Sequence, residues 1–218
     1  FLTELLTEQG FKWAYRVVDA RAFGLPQRRQ RVLLLASRVA DPRDVLFPDQ
    51  APEPSVANGE GVACGFYWTE GLRGLGWAVD CVPTLKGGST VGIPSPPAIL
   101  MPDGSVVTPD IRDAERLQGF PLDWTKPADH GPQRGRTNRW RLVGNAVSVP
   151  VASWLGERLK VPGSYLANNE ERLPTTAKWP NAAWGDETGS YRVAVDAWPA
   201  MLPYQHLKDF LRFPPWPL

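Results

Sequence analysis

Three arginines within four residues are the group in this sequence best suited to binding an anion or a polar base edge. Arg28, Arg29 and Arg31 follow a turn that contains Gly24 and Pro26. Glycine tolerates unusual backbone angles and proline fixes them, so the chain is expected to bend here. A guanidinium presents planar donors and keeps its charge, so two of them side by side suit a phosphate or a base. A solvated charge run remains the alternative.

The arginines lead directly into the apolar run 32–36, which predicts a buried strand. A strand of the α/β core would hold the arginines rigidly. Because side chains alternate along a strand, Arg29 and Arg31 are expected on one face and Arg28 on the other.

The segment before the arginines predicts the elements that flank this strand. An apolar stripe in residues 1–6, closed by Gly10, indicates the end of a helix. Residues 11–20 alternate enough to predict a second strand. The order helix, strand, loop, strand favours the edge of an α/β sheet that ends in a hairpin-like pair.

Two later segments carry helix signals. Thr108, Pro109 and Asp110 predict a helix start, with the threonine as the cap. Gly144 and Asn145 stand just ahead of an apolar period that reaches residue 160, so their amides are expected at a helix N-terminus, where carboxylates and phosphates bind. An ordinary glycine turn is the alternative.

Composition limits the classes of function. The 218 residues carry a formal net charge of only +1, which excludes a uniformly basic nucleic-acid surface but leaves room for local basic patches. Two cysteines are too few for a disulfide framework or a structural zinc site, so we expect no metal and a reducing, cytoplasmic location. No signal peptide or spanning apolar run is found in the sequence.

The order of the motifs resembles the DNA cytosine-5 methyltransferases. Residues 26–31, Pro-Gln-Arg-Arg-Gln-Arg, resemble the eighth motif of that family, and Thr84-Leu85 resembles a pair in its target recognition domain. Residues 108–121 resemble the ninth motif, with Asp110 and Ile111 as departures, and residues 141–150 resemble the tenth.

The resemblance implies an α/β fold, namely the C-terminal part of a Rossmann-like methyltransferase sheet with a small target recognition domain of strands and loops inserted. It covers roughly residues 1–159. The expected divisions are 1–37 for the last strands of the catalytic domain, 38–108 for the recognition domain, 109–160 for the return to the catalytic domain, and 161–218 for an extension rich in Trp and Pro.

The family's nucleophile is a cysteine that follows a proline, and this chain has no Pro-Cys pair. Cys64 follows Ala63 and Cys81 follows Asp80, so neither matches. The family's glycine-rich loop for the methyl donor and its Glu-Asn-Val motif are also missing. The resemblance therefore implies the C-terminal portion of such an enzyme, inactive alone, whose N-terminal half is either cut from the same chain or a separate subunit.

In the family, a cysteine thiolate adds to carbon six of a cytosine flipped out of double-stranded DNA. Carbon five then takes a methyl group from S-adenosylmethionine and loses its proton to a base. By resemblance, Arg31 would contact the exocyclic oxygen of the cytosine and Arg29 would support the active site and a phosphate. Asn145, Ala146 and Val147 match positions that line the pocket of the methyl donor.

Contacts to DNA are expected from the recognition segment and its neighbours. Arg73 and Lys86 are candidates for guanine contacts, since cations pair with the acceptors of guanine in the major groove. Arg112 and Arg116 are expected to be structural. The remaining expected DNA-binding residues are Arg28, Thr84 and Leu85, with Arg134, Arg136 and Arg139 as phosphate contacts or plain surface. A non-catalytic DNA-binding module is the competing hypothesis.

Overall fold

The computed structural model describes residues 2–55, 61–67, 75–88, 95–129, 134–167, 170–174 and 176–217, and for 134–137 only the backbone. The helices in these ranges are α1 (Leu2–Glu8), α2 (Arg43–Leu46), α3 (Ile111–Leu117), α4 (Arg134–Asn145), α5 (Val149–Lys160) and α6 (Leu207–Phe210). The strands are β1 (Lys12–Asp19), β2 (Gln27–Arg28), β3 (Gln30–Ser37), β4 (Cys64–Phe66), β5 (Ala78–Val79), β6 (Val82–Pro83), β7 (Ala98–Leu100), β8 (Val106–Thr108), β9 (Glu171–Arg172), β10 (Ala182–Asp186), β11 (Gly189–Arg192) and β12 (Trp216–Pro217). The α/β class is confirmed, and the Rossmann-like sheet stays a prediction.

The first sheet has the strand order β3-β1-β10-β11-β9. β1 and β3 pair antiparallel along their whole length, from Lys12 opposite Ser37 to Asp19 opposite Gln30. The predicted hairpin-like pair is therefore confirmed. Its loop holds a short 3₁₀ turn over Ala20–Phe23, which ends at Gly24 with a φ of 78°.

The apolar run 32–36 was expected to be buried, and this expectation is wrong for the chain as described. Val32 is 63% exposed, and Leu33, Leu34 and Leu35 are only half-buried. The physical reason is the position of β3. It pairs with β1 on one side, and none of the described strands pairs with its other side.

Four short strands from the middle of the chain and β12 from the C-terminal segment build a second sheet of order β12-β8-β7-β4-β5. A separate parallel pair, β2 with β6, connects the arginine segment to this region. The expectation of short strands and loops in the recognition segment agrees with these elements. The domain boundaries themselves stay a prediction.

The C-terminal segment belongs to both halves of the molecule. β10 pairs with β1 in the first sheet, and β12 pairs with β8 in the second. Trp184 packs in the core beneath the first sheet, whereas Leu207 and Phe210 pack in a second core with Leu85 and Trp140. The aromatic and aliphatic side chains of this C-terminal segment thus contribute to both cores.

The helices around the tenth motif differ from expectation. A helix over the basic stretch 134–145 was not predicted, because it buries little apolar surface beyond Trp140 and Val143. Gly144 and Asn145 therefore end α4 instead of opening α5, whose N-cap is Ser148. No helix in the described ranges is long and apolar enough to cross a membrane.

The start of α3 is set by a residue other than the one expected. The cap is Asp110, whose side chain accepts the Arg112 N–H at 2.9 Å, and not Thr108. Thr108 cannot fill this role because it ends β8 and pairs with Trp216. One of the two departures from the ninth motif is thus the residue that caps the helix.

Candidate functional site

Arg29 joins the segment of Thr84-Leu85 to the segment that ends α4. Its side chain is buried, with 4% of the residue exposed. Nη1 donates to the carbonyl of Leu85 at 3.2 Å, and Nη2 donates to the carbonyls of Gly144 at 3.3 Å and Ala146 at 2.6 Å. Arg29 is therefore held by backbone carbonyls, which makes it a residue that positions the site.

Arg31 lies in a different environment from Arg29. The strand is interrupted at Arg29, between β2 and β3, so the two arginines do not form the exposed pair on one strand face that was expected. Arg31 is exposed, and its Nη1 donates to the carbonyl of Gln30 at 2.7 Å. Burial lowers the pKa of Arg29 to about 10, and the nearby charge of Arg31 is a second, smaller cause. Arg29 is therefore charged at neutral pH.

The end of α4 makes close backbone contact with the segment after Thr84. A Cβ built on Gly144 would lie 2.0 Å from the carbonyl carbon of Lys86 and 2.1 Å from the amide nitrogen of Gly87. A Cβ on Gly87 would in turn lie 2.6 Å from Oδ1 of Asn145. Glycine is needed at position 144 for this approach, because the atoms that a Cβ would meet there belong to the main chain.

Two buried glutamines, Gln27 and Gln118, make further hydrogen bonds to these segments. The sequence had suggested no role for either of them. Gln27 Nε2 donates to the carbonyl of Leu117 at 2.7 Å, and its Oε1 accepts the N–H of Leu85 at 3.0 Å. Gln118 Nε2 donates to the carbonyl of Val143 at 2.9 Å and its Oε1 accepts the Ser148 hydroxyl. The sequence did contain one signal for these two roles. Each glutamine stands beside a residue that favours turns, Gln27 after Pro26 and Gln118 before Gly119, within the eighth and ninth motifs of the resemblance.

The residues expected to bind DNA fall into different environments. Leu85 is 1% exposed and packs in the second core, so its side chain is not at the surface as that expectation required. The Thr84 hydroxyl donates to the carbonyl of Arg28 at 2.9 Å. The Arg28 guanidinium donates to the carbonyls of Gly76 at 2.9 Å and Trp77 at 3.0 Å.

Lys86, which directly follows Leu85, is half-buried. Its ammonium lies 4.3 Å from the centre of the Tyr67 ring, and partial burial lowers the pKa of Lys86. Arg73 lies outside the described residues, as do the side chains of Arg134 and Arg136.

Arg139 is not a surface cation. Its Nη2 lies 3.0 Å from Glu115 Oε1 and 3.0 Å from Asp123 Oδ1, and its Nε donates to Thr125 Oγ1 at 3.0 Å. Glu115 is fully buried. The possible phosphate contact at Arg139 is therefore wrong, because its guanidinium neutralises buried and half-buried carboxylates.

Arg112 and Arg116 both make structural contacts. Arg116 Nη1 donates to Asp113 Oδ1 and to the carbonyl of Phe210, both at 2.6 Å. Arg112 lies over the ring of Phe213 at 3.8 Å. Both arginines thus connect α3 to the C-terminal segment.

The segment expected to contact the methyl donor begins at Asn145, the last residue of α4. Asn145 and Val147 are exposed, Val147 by 62%, and Ala146 is half-buried with its carbonyl bound by Arg29. The segment thus presents one amide side chain and one apolar side chain.

The Cys81 thiol does not have the environment of a nucleophile. Burial raises the pKa of the Cys81 thiol to about 11, so it is protonated at neutral pH. Cys64 lies within β4, which pairs with β5 on one side and with β7 on the other.

The sequence is similar to one protein family and to several known methyltransferases. Residues 2–60 match the family described as C-5 cytosine-specific DNA methylase. The whole chain is 51% identical over 226 residues to the Type II methyltransferase M2.BsuMI of Bacillus subtilis, and spans 58% of that protein. Type II methyltransferase M.BsuFI of Bacillus subtilis is 29% identical over 71% of the chain and 42% of its own length. Type II methyltransferase M.HgiDI of Herpetosiphon aurantiacus is 26% identical over 81% of the chain and 58% of its own length. The resemblance drawn from the motifs is confirmed, and the chain spans about half the length of these relatives.

Proposed function

We propose that this relative of the C-5 cytosine-specific DNA methylases is the portion of such an enzyme that binds target DNA and completes the methyl-donor site. The nucleophilic cysteine is supplied by a polypeptide segment outside these residues. The supporting observation is the connection that Arg29 makes between Leu85 and Ala146. It links the segment assigned to DNA with the segment assigned to the methyl donor, next to the exposed Arg31.

Arg31 is the group assigned to the substrate. An exposed guanidinium at the end of a paired strand can donate to the exocyclic oxygen of an extruded cytosine and stabilise negative charge that develops there. Extrusion of a base costs a few kcal/mol, which contacts to the base and to the flanking backbone offset. Lys86 is assigned to a guanine contact, and Arg28 holds the segment of Gly76 and Trp77 that leads to the recognition residues.

The methyl donor would be held on this chain by Asn145 and Val147. Bound S-adenosylmethionine supplies an electrophilic methyl group. The Asn145 amide can bind its polar part and Val147 can cover its apolar part. Arg29 fixes the intervening Ala146 by its carbonyl, so both side chains are carried by a backbone that is tied to Leu85.

The experiment is methyl transfer by a reconstituted enzyme. The chain is incubated with cytosine-containing duplex DNA and labelled S-adenosylmethionine, alone and with the unmatched segment of M2.BsuMI added as a separate polypeptide. Label is expected in DNA only in the mixture. DNA binding without transfer in the mixture would contradict the proposal and favour a non-catalytic DNA-binding module.

A variant pair tests the role of Arg31. In the mixture, Arg31→Ala is expected to lower the rate by about 10²-fold or more, the usual loss when a donor to a developing oxyanion is removed. Arg38→Ala is the control, because Arg38 is also exposed and directly follows β3. Its rate of methyl transfer should stay close to that of the parent protein. Equal rates for the two variants would remove Arg31 from the site.

A further inference from the structure

We propose that residues 202–207, which we call the C-terminal strap, position the segments 27–31 and 82–86 relative to each other, with Tyr204 as the main positioning residue. The strap contacts two turns, one just before each of these segments. The placement of the strap rests on these contacts alone. Its effect on methyl transfer rests on the proposed function.

The first contact of the strap is with the turn that ends at Gly24. The N–H of Leu202 donates to the carbonyl of Ala22 at 3.0 Å. Gly24 has a φ of 78°, and a Cβ built on it would lie 2.6 Å from the carbonyl oxygen of Pro203. The main chain of the strap therefore lies directly against the main chain of the turn.

The second contact of the strap is with Asp80, which is buried. The Tyr204 hydroxyl donates to the main-chain carbonyl of Asp80 at 2.6 Å. Nδ1 of His206 lies 2.6 Å from Oδ2 of Asp80, and the N–H of Leu207 donates to Oδ1 at 2.9 Å. Burial raises the pKa of Tyr204, so its hydroxyl stays protonated and remains a donor. Three residues of the strap thus bind one buried residue.

Both turns are bonded to the segments that carry the site. In the first turn, the N–H of Ala20 donates to the carbonyl of Arg29 at 3.0 Å. Two residues after Asp80, the N–H of Val82 donates to the carbonyl of Pro26 at 2.9 Å. The segments themselves pair through β2 and β6 over only two residues each, and so short a parallel pair restrains their relative position weakly. The strap supplies the missing restraint, because it holds both turns at once.

Alignment of the two segments matters for DNA, because target DNA must contact both of them at the same time. By the proposed function, Arg31 binds the extruded cytosine and Lys86 contacts a guanine. A misplacement of about 1 Å in such a site costs as much as about 10²-fold in rate. Loss of one hydrogen bond lowers stability only modestly. A change in the strap should therefore affect the use of DNA more than it affects folding.

Two pairs of variants test the two contacts separately. Tyr204→Phe removes only the hydroxyl on Asp80. Its control is Tyr191→Phe, because the Tyr191 hydroxyl lies 3.2 Å from Oγ1 of Thr188 in an exposed turn. Gly24→Ala places a Cβ against the strap. Its control is Gly10→Ala, because position 10 has a φ of 74° but nothing within 4 Å of a Cβ, so it carries similar backbone strain without displacing the strap.

Hydrogen–deuterium exchange, followed by NMR on the chain alone, measures whether the strap holds the two segments together. The N–H of Val82 should exchange faster in both strap variants, Tyr204→Phe and Gly24→Ala, by about threefold or more. The N–H of Val17, which donates to the carbonyl of Asn181 in the first sheet, should exchange at the parent rate. Both control variants should match the parent protein at both amides.

Steady-state methyl transfer in the reconstituted mixture measures positioning. Both strap variants should raise the KM for duplex DNA by about tenfold and leave the KM for S-adenosylmethionine unchanged. A smaller folded fraction would lower kcat and leave both KM values as they are, so the KM for DNA separates positioning from stability. Circular dichroism establishes the fold of each variant, and Tyr204→Phe decides the outcome if Gly24→Ala does not fold.

Unchanged exchange at Val82 in the strap variants would overturn the role of the strap. Faster exchange at Val82 with an unchanged KM for DNA would also overturn it, because the strap would then contribute to stability alone. Faster exchange at Val82, together with a parent mixture that transfers no methyl group, would uphold the strap and refute the proposed function.

Discussion

Gly144 lies against the main chain of Lys86 so closely that a Cβ on the glycine would stand 2.0 Å from the Lys86 carbonyl carbon. This contact brings the end of α4 onto the segment that follows Thr84, and Arg29 bonds to carbonyls on both sides of it. The geometry of the candidate site therefore depends on the absence of a side chain at one position.

Gly144→Ala should destabilise the protein by about 1–3 kcal/mol, since the atoms it meets are backbone and cannot move aside cheaply. Gly156→Ala is the matched control, because a Cβ at this position on α5 meets nothing within 4 Å. The control should stabilise the protein by up to about 1 kcal/mol through its higher helix propensity. Chemical denaturation measures both free energies of unfolding, and an unchanged value for Gly144→Ala would refute the close contact.

The sequence predicted this site in part. The turn at Gly24 and the antiparallel pair of β1 and β3 could be inferred from local patterns. These patterns act over a few residues, so one chain is enough to see them.

The environments of individual arginines could not be predicted in this way. Arg29 and Arg31 have the same side chain two positions apart, yet one is buried among carbonyls and the other is exposed. Arg139 looked like part of a basic surface stretch. Its partners, Glu115 and Asp123, lie 24 and 16 residues away in the chain. Burial of a charge is decided by such distant partners, which a local pattern does not contain.

Removing the cation from the buried pair of Arg139 and Glu115 should cost far more than removing one partner of an exposed pair. Arg139→Met leaves the Glu115 carboxylate buried without its cation, which should cost about 3–5 kcal/mol of unfolding free energy. Arg192→Met is the control, since Arg192 and Glu171 are exposed and 3.7 Å apart, and its loss should cost at most about 1 kcal/mol. Thermal and chemical unfolding measure the two costs. Similar costs for the two variants would show that burial does not increase the cost of breaking the ion pair.

Asp80 attaches the C-terminal segment to the second sheet. Its Oδ1 accepts the N–H of Leu207 at 2.9 Å, its Oδ2 lies 2.6 Å from His206 Nδ1, and its carbonyl accepts the Tyr204 hydroxyl. Asp80 also has a φ of 54°, a left-handed conformation that aspartate and asparagine tolerate better than most residues.

Asp80→Ala should therefore destabilise the protein by about 2–4 kcal/mol, from the lost acceptors and from the backbone strain together. Asp80→Asn keeps an acceptor for Leu207 and a residue suited to this φ, so its cost should be less than half as large. Asp103→Ala, in an exposed turn, serves as the control. Limited proteolysis should release the C-terminal segment from Asp80→Ala first. Equal stability of the alanine and asparagine variants would contradict this account of the attachment.

The buried thiol of Cys81 should make stability depend on pH in the alkaline range. Its pKa is raised by burial from 9.0 to about 11, so the unfolded chain loses this proton before the folded one does. The stabilisation is present in full below pH 9 and is lost between about pH 9 and 11, by roughly 2–3 kcal/mol in total. Cys81→Ala removes the titrating group, so its unfolding free energy should fall less over the same range. Parallel pH profiles for the two proteins, or rapid labelling of Cys81 by a thiol reagent at pH 7, would show that this thiol is not shielded in the folded state.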